Sequence, residues 1–237
     1  MHSPFVFALV TKCFYDNNKY PEYSVLKNYR NTLLENKNTI EVTDFGAGSK
    51  IFKSNIRAIN QIAKNAGISK KRAELLFRIS LYFQPATILE IGTSVGLATS
   101  ALSLGNPKAT ITTLEGCPET AKIAREQFQK FDFKNIDAIV SEFGSYLQQL
   151  TTDNPQLIYF DGNHSKKATL DYFELLLPTI TDKTVWIFDD IHWSAEMESV
   201  WEIIKKHPKV TVTIDTFQWG LVFFHTTQEK EHFGIRV

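Results

Sequence analysis

The 237-residue sequence has only two cysteines, Cys13 and Cys117, with no CxxC pair and no Cys/His cluster at zinc spacing. That excludes a disulfide framework and a cysteine-rich structural zinc site. It also lacks an excess of charge of either sign: 26 Lys and Arg balance 26 Asp and Glu. Proteins that track nucleic-acid phosphates usually carry a basic surplus, so a general nucleic-acid partner is not expected. No apolar run approaches the ~18 residues a membrane span needs. The run from Phe5 to Val10 is short and has no basic segment before it, so it does not read as a signal peptide. The expectation is a cytoplasmic protein without a membrane partner.

With 43% hydrophobic and 22% charged residues, the chain can bury a substantial core. There is no internal repeat or low-complexity tract. The pattern changes near residue 68, which divides an N-terminal, mainly helical extension or cap (1–68) from a second unit (69–237). In the extension, Val25, Leu26, Tyr29 and Leu33 recur at helical spacing, as do Ile56, Ile59, Ile62 and Ala63. Between them lie a β-like piece, Ile40–Phe45, and the glycine-containing stretch Asp44–Ser49, which reads as a turn into a helix near Phe52 or as a lid loop. Phe5, Phe7 and Phe14 suit packing onto the second unit or a homodimer contact.

After residue 68 a helix is expected over Ser69–Phe83, capped by Ser69 and stopped before Pro85. Short apolar strands then alternate with helices: Thr87–Ile91, Thr110–Glu115, Ile136–Ser141, Leu157–Asp161 and Val185–Asp189. This order implies βαβ units and a doubly wound, Rossmann-like α/β sheet with both faces covered. The last two strands, Val210–Ile214 and Gly220–Phe224, are too close in sequence for a parallel crossover and must pair antiparallel. The expected sheet has seven strands, mostly parallel, with an antiparallel end.

The strongest motif is Glu90-Ile91-Gly92-Thr93-Ser94-Val95-Gly96, which leaves a strand and opens a helix. Glycines there let a ligand approach the backbone at a helix N-terminus. The spacing is G-x-x-x-G rather than the G-x-G-x-x-G of dinucleotide sites. Glu115 ends the next strand, where a carboxylate can accept from both hydroxyls of a ribose. These features resemble the class I S-adenosylmethionine-dependent methyltransferases over roughly residues 69–237. The resemblance implies S-adenosylmethionine as cofactor. It places the methionine part against Glu90, Gly92, Thr93, Ser94 and Gly96, the ribose at Glu115 and Gly116, and the adenine near Glu142 and Phe143. Asp161 closes the same pocket. Ser141 stands where the family often has glycine.

Asp161-Gly162-Asn163-His164 and Asp189-Asp190-Ile191-His192-Trp193 follow two adjacent strands, so their side chains are expected in one crevice. Such an oxygen-rich group suits Mg2+, Ca2+ or Mn2+. It resembles the catechol-type and caffeoyl-CoA-type O-methyltransferases, which implies Asp161, Asp189 and Asp190 as metal ligands. Asp190 replaces the family's Asn, and His164 replaces its Lys. The metal-free alternative makes His164 or His192 the base, oriented by an Asp such as Asp161. The Asp residues could instead serve only as helix caps, a task for which Ser165 and Ser194 are also well placed.

The chain has no N/D-P-P-Y/F motif after the fourth strand and no cysteine there. Both absences turn the expectation from nucleobases to a small hydroxylated acceptor. Trp193 is the tryptophan placed to meet it, whereas Trp201 reads as core. The competing functions are a nicotinamide-dependent oxidoreductase and a non-catalytic S-adenosylmethionine-binding protein.

Overall fold

The computed structural model describes residues 3–43, 54–150 and 154–237. The Asp44–Ser49 stretch therefore lies outside the described residues. The chain begins with α1 (Pro4–Leu9), which runs into a π-helical turn (Val10–Phe14), then α2 (Glu22–Glu35). A two-stranded antiparallel ribbon, β1 (Thr39–Glu41) and β2 (Ile56–Ala58), leads into α3 (Ile59–Asn65) and α4 (Lys70–Phe83). The alternating part follows as β3 (Thr87–Ile91), α5 (Leu97–Gly105), β4 (Thr110–Glu115), α6 (Pro118–Lys130), β5 (Ile136–Val140), α7 (Phe143–Gln148), β6 (Leu157–Phe160), α8 (Lys166–Leu176) and β7 (Val185–Asp189). The chain then continues through α9 (Ala195–Lys206), β8 (Val212–Asp215), β9 (Trp219–Phe223) and β10 (Glu231–Gly234).

The main sheet has eight strands in the order β10-β8-β9-β7-β6-β3-β4-β5. As expected from the short connection, β9 is antiparallel to β8, and it is also antiparallel to β7, beside which it inserts. The other pairings are parallel. The eighth strand, β10, was not expected. Its sequence Glu-His-Phe-Gly carries no run of apolar residues, and it forms by pairing along the outer edge of β8. Ile56 also departs from its expected helical place: it lies in β2 with 65% of its surface exposed, and α3 starts at Ile59.

Strand alternation sorts the core onto two faces. In β7, Val185 and Ile187 face one cluster while Trp186 and Phe188 face the other. The first face is covered by helices that include α2, α4 and α5, the second by α7, α8 and α9. Val6, Leu9, Phe14, Tyr29 and Leu33 of the N-terminal segment belong to the same cluster as Val185 and Ile187, so the extension and the sheet share one core. Helix α4 is built as the sequence suggests: the Ser69 hydroxyl accepts from the Arg72 N–H, and Gln84 ends the helix in the left-handed conformation just before Pro85. That cap fixes the first turn of α4, including Arg72, over the end of β7. Trp201 is fully buried in the second cluster, and Phe14 in the first, whereas Phe7 is exposed.

Candidate active site

The loop between β3 and α5 is shaped by two glycines with different tasks. Gly92 has φ +105°, and a Cβ there would lie 2.3 Å from the Asp161 carbonyl oxygen, so the loop lies directly against the end of β6. Gly96 has φ +79°, and a Cβ there would meet the Tyr29 hydroxyl at 2.4 Å and the Phe128 ring at 2.5 Å. Tyr29 comes from α2 and donates to the Val95 carbonyl at 2.9 Å. The second glycine thus admits a side chain of the N-terminal segment rather than a ligand. The loop's N–H groups are largely used within the protein. Those of Gly92 and Thr93 both donate to the Leu114 carbonyl, and that of Gly96 to Thr93. The Ser94 N–H donates to Glu115 Oε2 at 2.8 Å.

A cavity of about 260 Å3 opens at the C-terminal ends of β3, β4, β5 and β6. Of the residues expected to hold a cofactor, Gly92, Ser94, Glu115, Gly116, Glu142, Phe143 and Asp161 line it. Glu115 is held by N–H donors on both oxygens, Ser94 on Oε2 and Cys117 on Oε1 at 2.9 Å. Glu142 caps α7, accepting from the N–H groups of Gly144 and Ser145 and from the Ser145 hydroxyl. Those bonds, the Ser145 hydroxyl first, hold its carboxyl below the usual range.

Glu90, Thr93 and Gly96 are not on the cavity wall. Glu90 is fully buried behind the loop, where its Oε2 accepts from the Thr99 and Thr113 hydroxyls, both at 2.5 Å, and its Oε1 has no partner. Burial pushes its carboxyl up to about 8. Thr93 is buried against Thr113 at 2.6 Å. The sequence did not reveal that the N-terminal segment closes this cavity with Val42, Thr43, Arg57, Ile62 and Ala66. Amphipathic spacing marks residues as buried but does not say against what.

The Asp/His group assembles only in part. His164 Nε2 lies 3.7 Å from Asp161 Oδ1, and its ring centroid is 6.1 Å from that of Trp193. Burial raises the Asp161 carboxyl well above the usual range, and the neighbouring Asp189 raises it further. Burial, followed by Asp189, also raises that of Asp190. His192 does not join them. Asp190 takes a left-handed turn (φ +55°) after β7, Ile191 is buried, and the His192 ring points to the β8–β9 end of the sheet. There Nε2 meets Asp215 at 2.9 Å and Nδ1 meets Glu198 at 3.3 Å. Ser165 and Ser194 cap α8 and α9, so these caps do not occupy the aspartates.

Asp189 is already surrounded by donors. Arg72 Nη1 reaches both of its oxygens, at 3.0 and 3.3 Å. The Tyr159 hydroxyl donates to Oδ2 at 3.1 Å and the Asp190 N–H to Oδ1 at 2.8 Å. A divalent ion on Asp189 would have to displace a partly buried guanidinium or sit beside it, cation against cation. Among the described residues no three His, Cys, Asp or Glu side chains are gathered to hold a metal. The expected ligand set Asp161, Asp189 and Asp190 therefore does not fit a divalent metal in this arrangement. Arg72 carried no motif in the sequence. Only the folding of α4 over β7 brings it here.

A mostly parallel sheet with a reversed strand beside β7, and a glycine loop and strand-end acids around one cavity, is the fold of class I S-adenosylmethionine-dependent methyltransferases. Residues 89–191 match the family model described as a methyltransferase domain. Solved structures agree at the level of the fold. The S-adenosylhomocysteine-bound methyltransferase PaMTH1 of Podospora anserina superimposes with a TM-score of 0.65 at 15% identity, covering 94% of this chain and 97% of its own. An O-methyltransferase from Bacillus cereus in complex with S-adenosylhomocysteine gives 0.60 at 17% identity, covering 92% and 97%. TomG of Streptomyces achromogenes, an O-methyltransferase of tomaymycin synthesis in complex with S-adenosylmethionine, gives 0.60 at 16%, covering 93% and 94%. No curated protein matches the sequence. Among the described residues no helix is long and apolar enough to cross a membrane.

Proposed function

We propose that this chain transfers a methyl group from S-adenosylmethionine to an oxygen of a small-molecule acceptor. The observation that carries the reading is Glu115. Its carboxylate stands on the cavity wall with one N–H donor from the glycine loop and one from the start of α6. A carboxylate oxygen accepts more than one hydrogen bond, so the two ribose hydroxyls can be added to these. The solved structures of the same fold that hold this cofactor or its product support the reading. The reversed β9 and the absence of G-x-G-x-x-G count against a nicotinamide cofactor.

The cofactor's adenosine end would lie between Glu115, Gly116 and Phe143, with its sulfonium toward Asp161. Asp161 and Asp190 bring two carboxyl groups near the positively charged sulfur, and His164 is the imidazole beside them. Catalysis is then mainly the alignment of an acceptor oxygen behind the methyl group in a dry site. Calorimetry with S-adenosylhomocysteine tests the cofactor reading. Binding should be measurable in the wild type and at least about tenfold weaker in Glu115→Gln, the loss of roughly one charge-assisted hydrogen bond. Wild-type protein that binds neither S-adenosylhomocysteine nor S-adenosylmethionine would refute it.

A further inference from the structure

A second cavity, of about 810 Å3, lies between the first turns of α4, Phe14 of the π-helical turn, the β8–β9 loop and the C-terminal residues. Arg72 lines it while also holding Asp189, so the guanidinium stands between this cavity and the Asp161–Asp189 end of the sheet. Only its Nη1 is engaged. Nε is buried without an acceptor, and Nη2 bonds no described residue.

The charges around the cavity are unequal. Its two side-chain carboxylates are matched: Glu74 pairs with Lys70 at 3.6 Å, and Asp215 accepts from Trp201 and the Phe217 N–H and contacts His192. The cations are not matched in this way. Arg78 donates to the Cys13 and Phe14 carbonyls and to the Tyr23 hydroxyl, all neutral acceptors. Lys71 and Arg236 form no ion pair with the described residues. Even with a terminal carboxylate counted at Val237, positive groups exceed negative ones. A low-dielectric wall of this kind attracts an anion, and the unengaged Nη2 of the guanidinium can donate to a carboxylate.

We propose that this cavity receives a carboxylic acid as the methyl acceptor, and that Arg72 holds its carboxylate where the sequence had suggested a divalent cation. The inference rests on the S-adenosylmethionine reading above. In the step it assigns, a lone pair of the acceptor's carboxylate oxygen attacks the sulfonium methyl carbon. The carbon–oxygen bond forms as the carbon–sulfur bond breaks, and the bonding pair stays on sulfur as a neutral thioether. The carboxylate charge disappears in a neutral methyl ester, so no proton leaves the acceptor and no base is required. The ester also loses its charge attraction to the cavity, which favours its release.

The test uses the full chain with S-adenosylmethionine and a panel of aromatic and aliphatic carboxylic acids, each paired with its primary amide. Binding to the S-adenosylhomocysteine complex is read by calorimetry, and ester formation by mass spectrometry. The acids should bind at least tenfold more tightly than their amides and become methyl esters, with turnover unchanged within twofold by chelator or added magnesium. The Lys71→Gln/Arg236→Gln double variant, which leaves the Arg72–Asp189 pair intact, should weaken acids at least fivefold and amides less than twofold. Arg72→Gln/Asp189→Asn, which removes the pair without leaving a lone buried charge, should weaken acids at least tenfold. Failure of S-adenosylhomocysteine to bind the wild type would sink the underlying cofactor reading. Normal binding of it, with acids no better than amides or with turnover that requires a divalent metal, would overturn this inference alone.

Discussion

Glu90 gives the most quantitative consequence of the structure. Its side chain is fully buried behind the glycine loop, and two threonine hydroxyls serve one oxygen while the other has no partner. Burial outweighs those bonds and moves the carboxyl from its ordinary 4.5 to about 8. The folded chain therefore holds a proton that the unfolded chain releases, and stability falls as pH rises through that window. The contribution is fully present below pH 4.5 and is lost by about pH 8. At ~1.4 kcal/mol per pH unit, the loss is about 5 kcal/mol over the window. For a chain of this size that is about 10–20 °C in melting temperature. Glu90→Gln keeps an oxygen for Thr99 and Thr113 and cannot ionise. Urea unfolding of both proteins without ligand, from pH 4.5 to pH 8.5, isolates the effect, because other titrating groups cancel in the difference. The variant should gain on the wild type steadily as pH rises, by several kcal/mol in total. Parallel stability profiles that differ by less than about 1 kcal/mol across the window would show that Glu90 is solvated or paired in solution, and the argument would fail.

Two further outcomes test the packing around the site. Gly96→Ala combines a positive φ with a Cβ that would lie 2.4 Å from the Tyr29 hydroxyl, so it should cost about 2–4 kcal/mol in chemical denaturation; a cost below about 1 kcal/mol would mean that α2 is not seated on the loop. Trp201→Ala empties a fully buried site beneath Gly220 and removes the indole bond to Asp215, and should cost about 3–5 kcal/mol in the same assay.

The parts of the molecule legible in its sequence are those written in local order. Alternating short strands and helices identified the parallel sheet, and the brief link before Trp219 required the reversed strand, because a parallel crossover needs more chain than is present. The Ser69 cap and the stop before Pro85 were readable from residue type alone. The same kind of reading failed where an element depends on a neighbour. Strand β10 exists because the edge of β8 is open to it, and Ile56 is drawn into β2 by pairing with Glu41. At the site, strand ends correctly located Gly92, Ser94, Glu115 and Asp161 on one cavity. Chain order alone could not say which way a side chain turns after a strand. His192 follows a left-handed Asp190 and turns to Asp215, whereas His164 remains beside Asp161.

Arg72 shows why a motif's chemistry cannot be read from the motif alone. The aspartates after β6 and β7 are an acidic group whose charge needs a counterion, and their sequence is silent about which one. A metal and a guanidinium both answer the electrostatic demand, but they differ in what they leave for a substrate. A metal offers open coordination positions to neutral or ionised oxygens. A guanidinium offers fixed N–H donors and selects anions by shape. The choice is made elsewhere in the chain, by a serine cap that fixes the first turn of α4 so that Arg72 reaches Asp189 at 3.0 Å. Replacing that arginine by methionine should therefore do more than weaken a contact. It leaves Asp189 buried with Tyr159 and one backbone N–H, and a buried carboxylate stripped of its cation costs about 3–5 kcal/mol. On the acceptor assignment proposed above, acceptor chemistry and fold stability are joined at one ion pair.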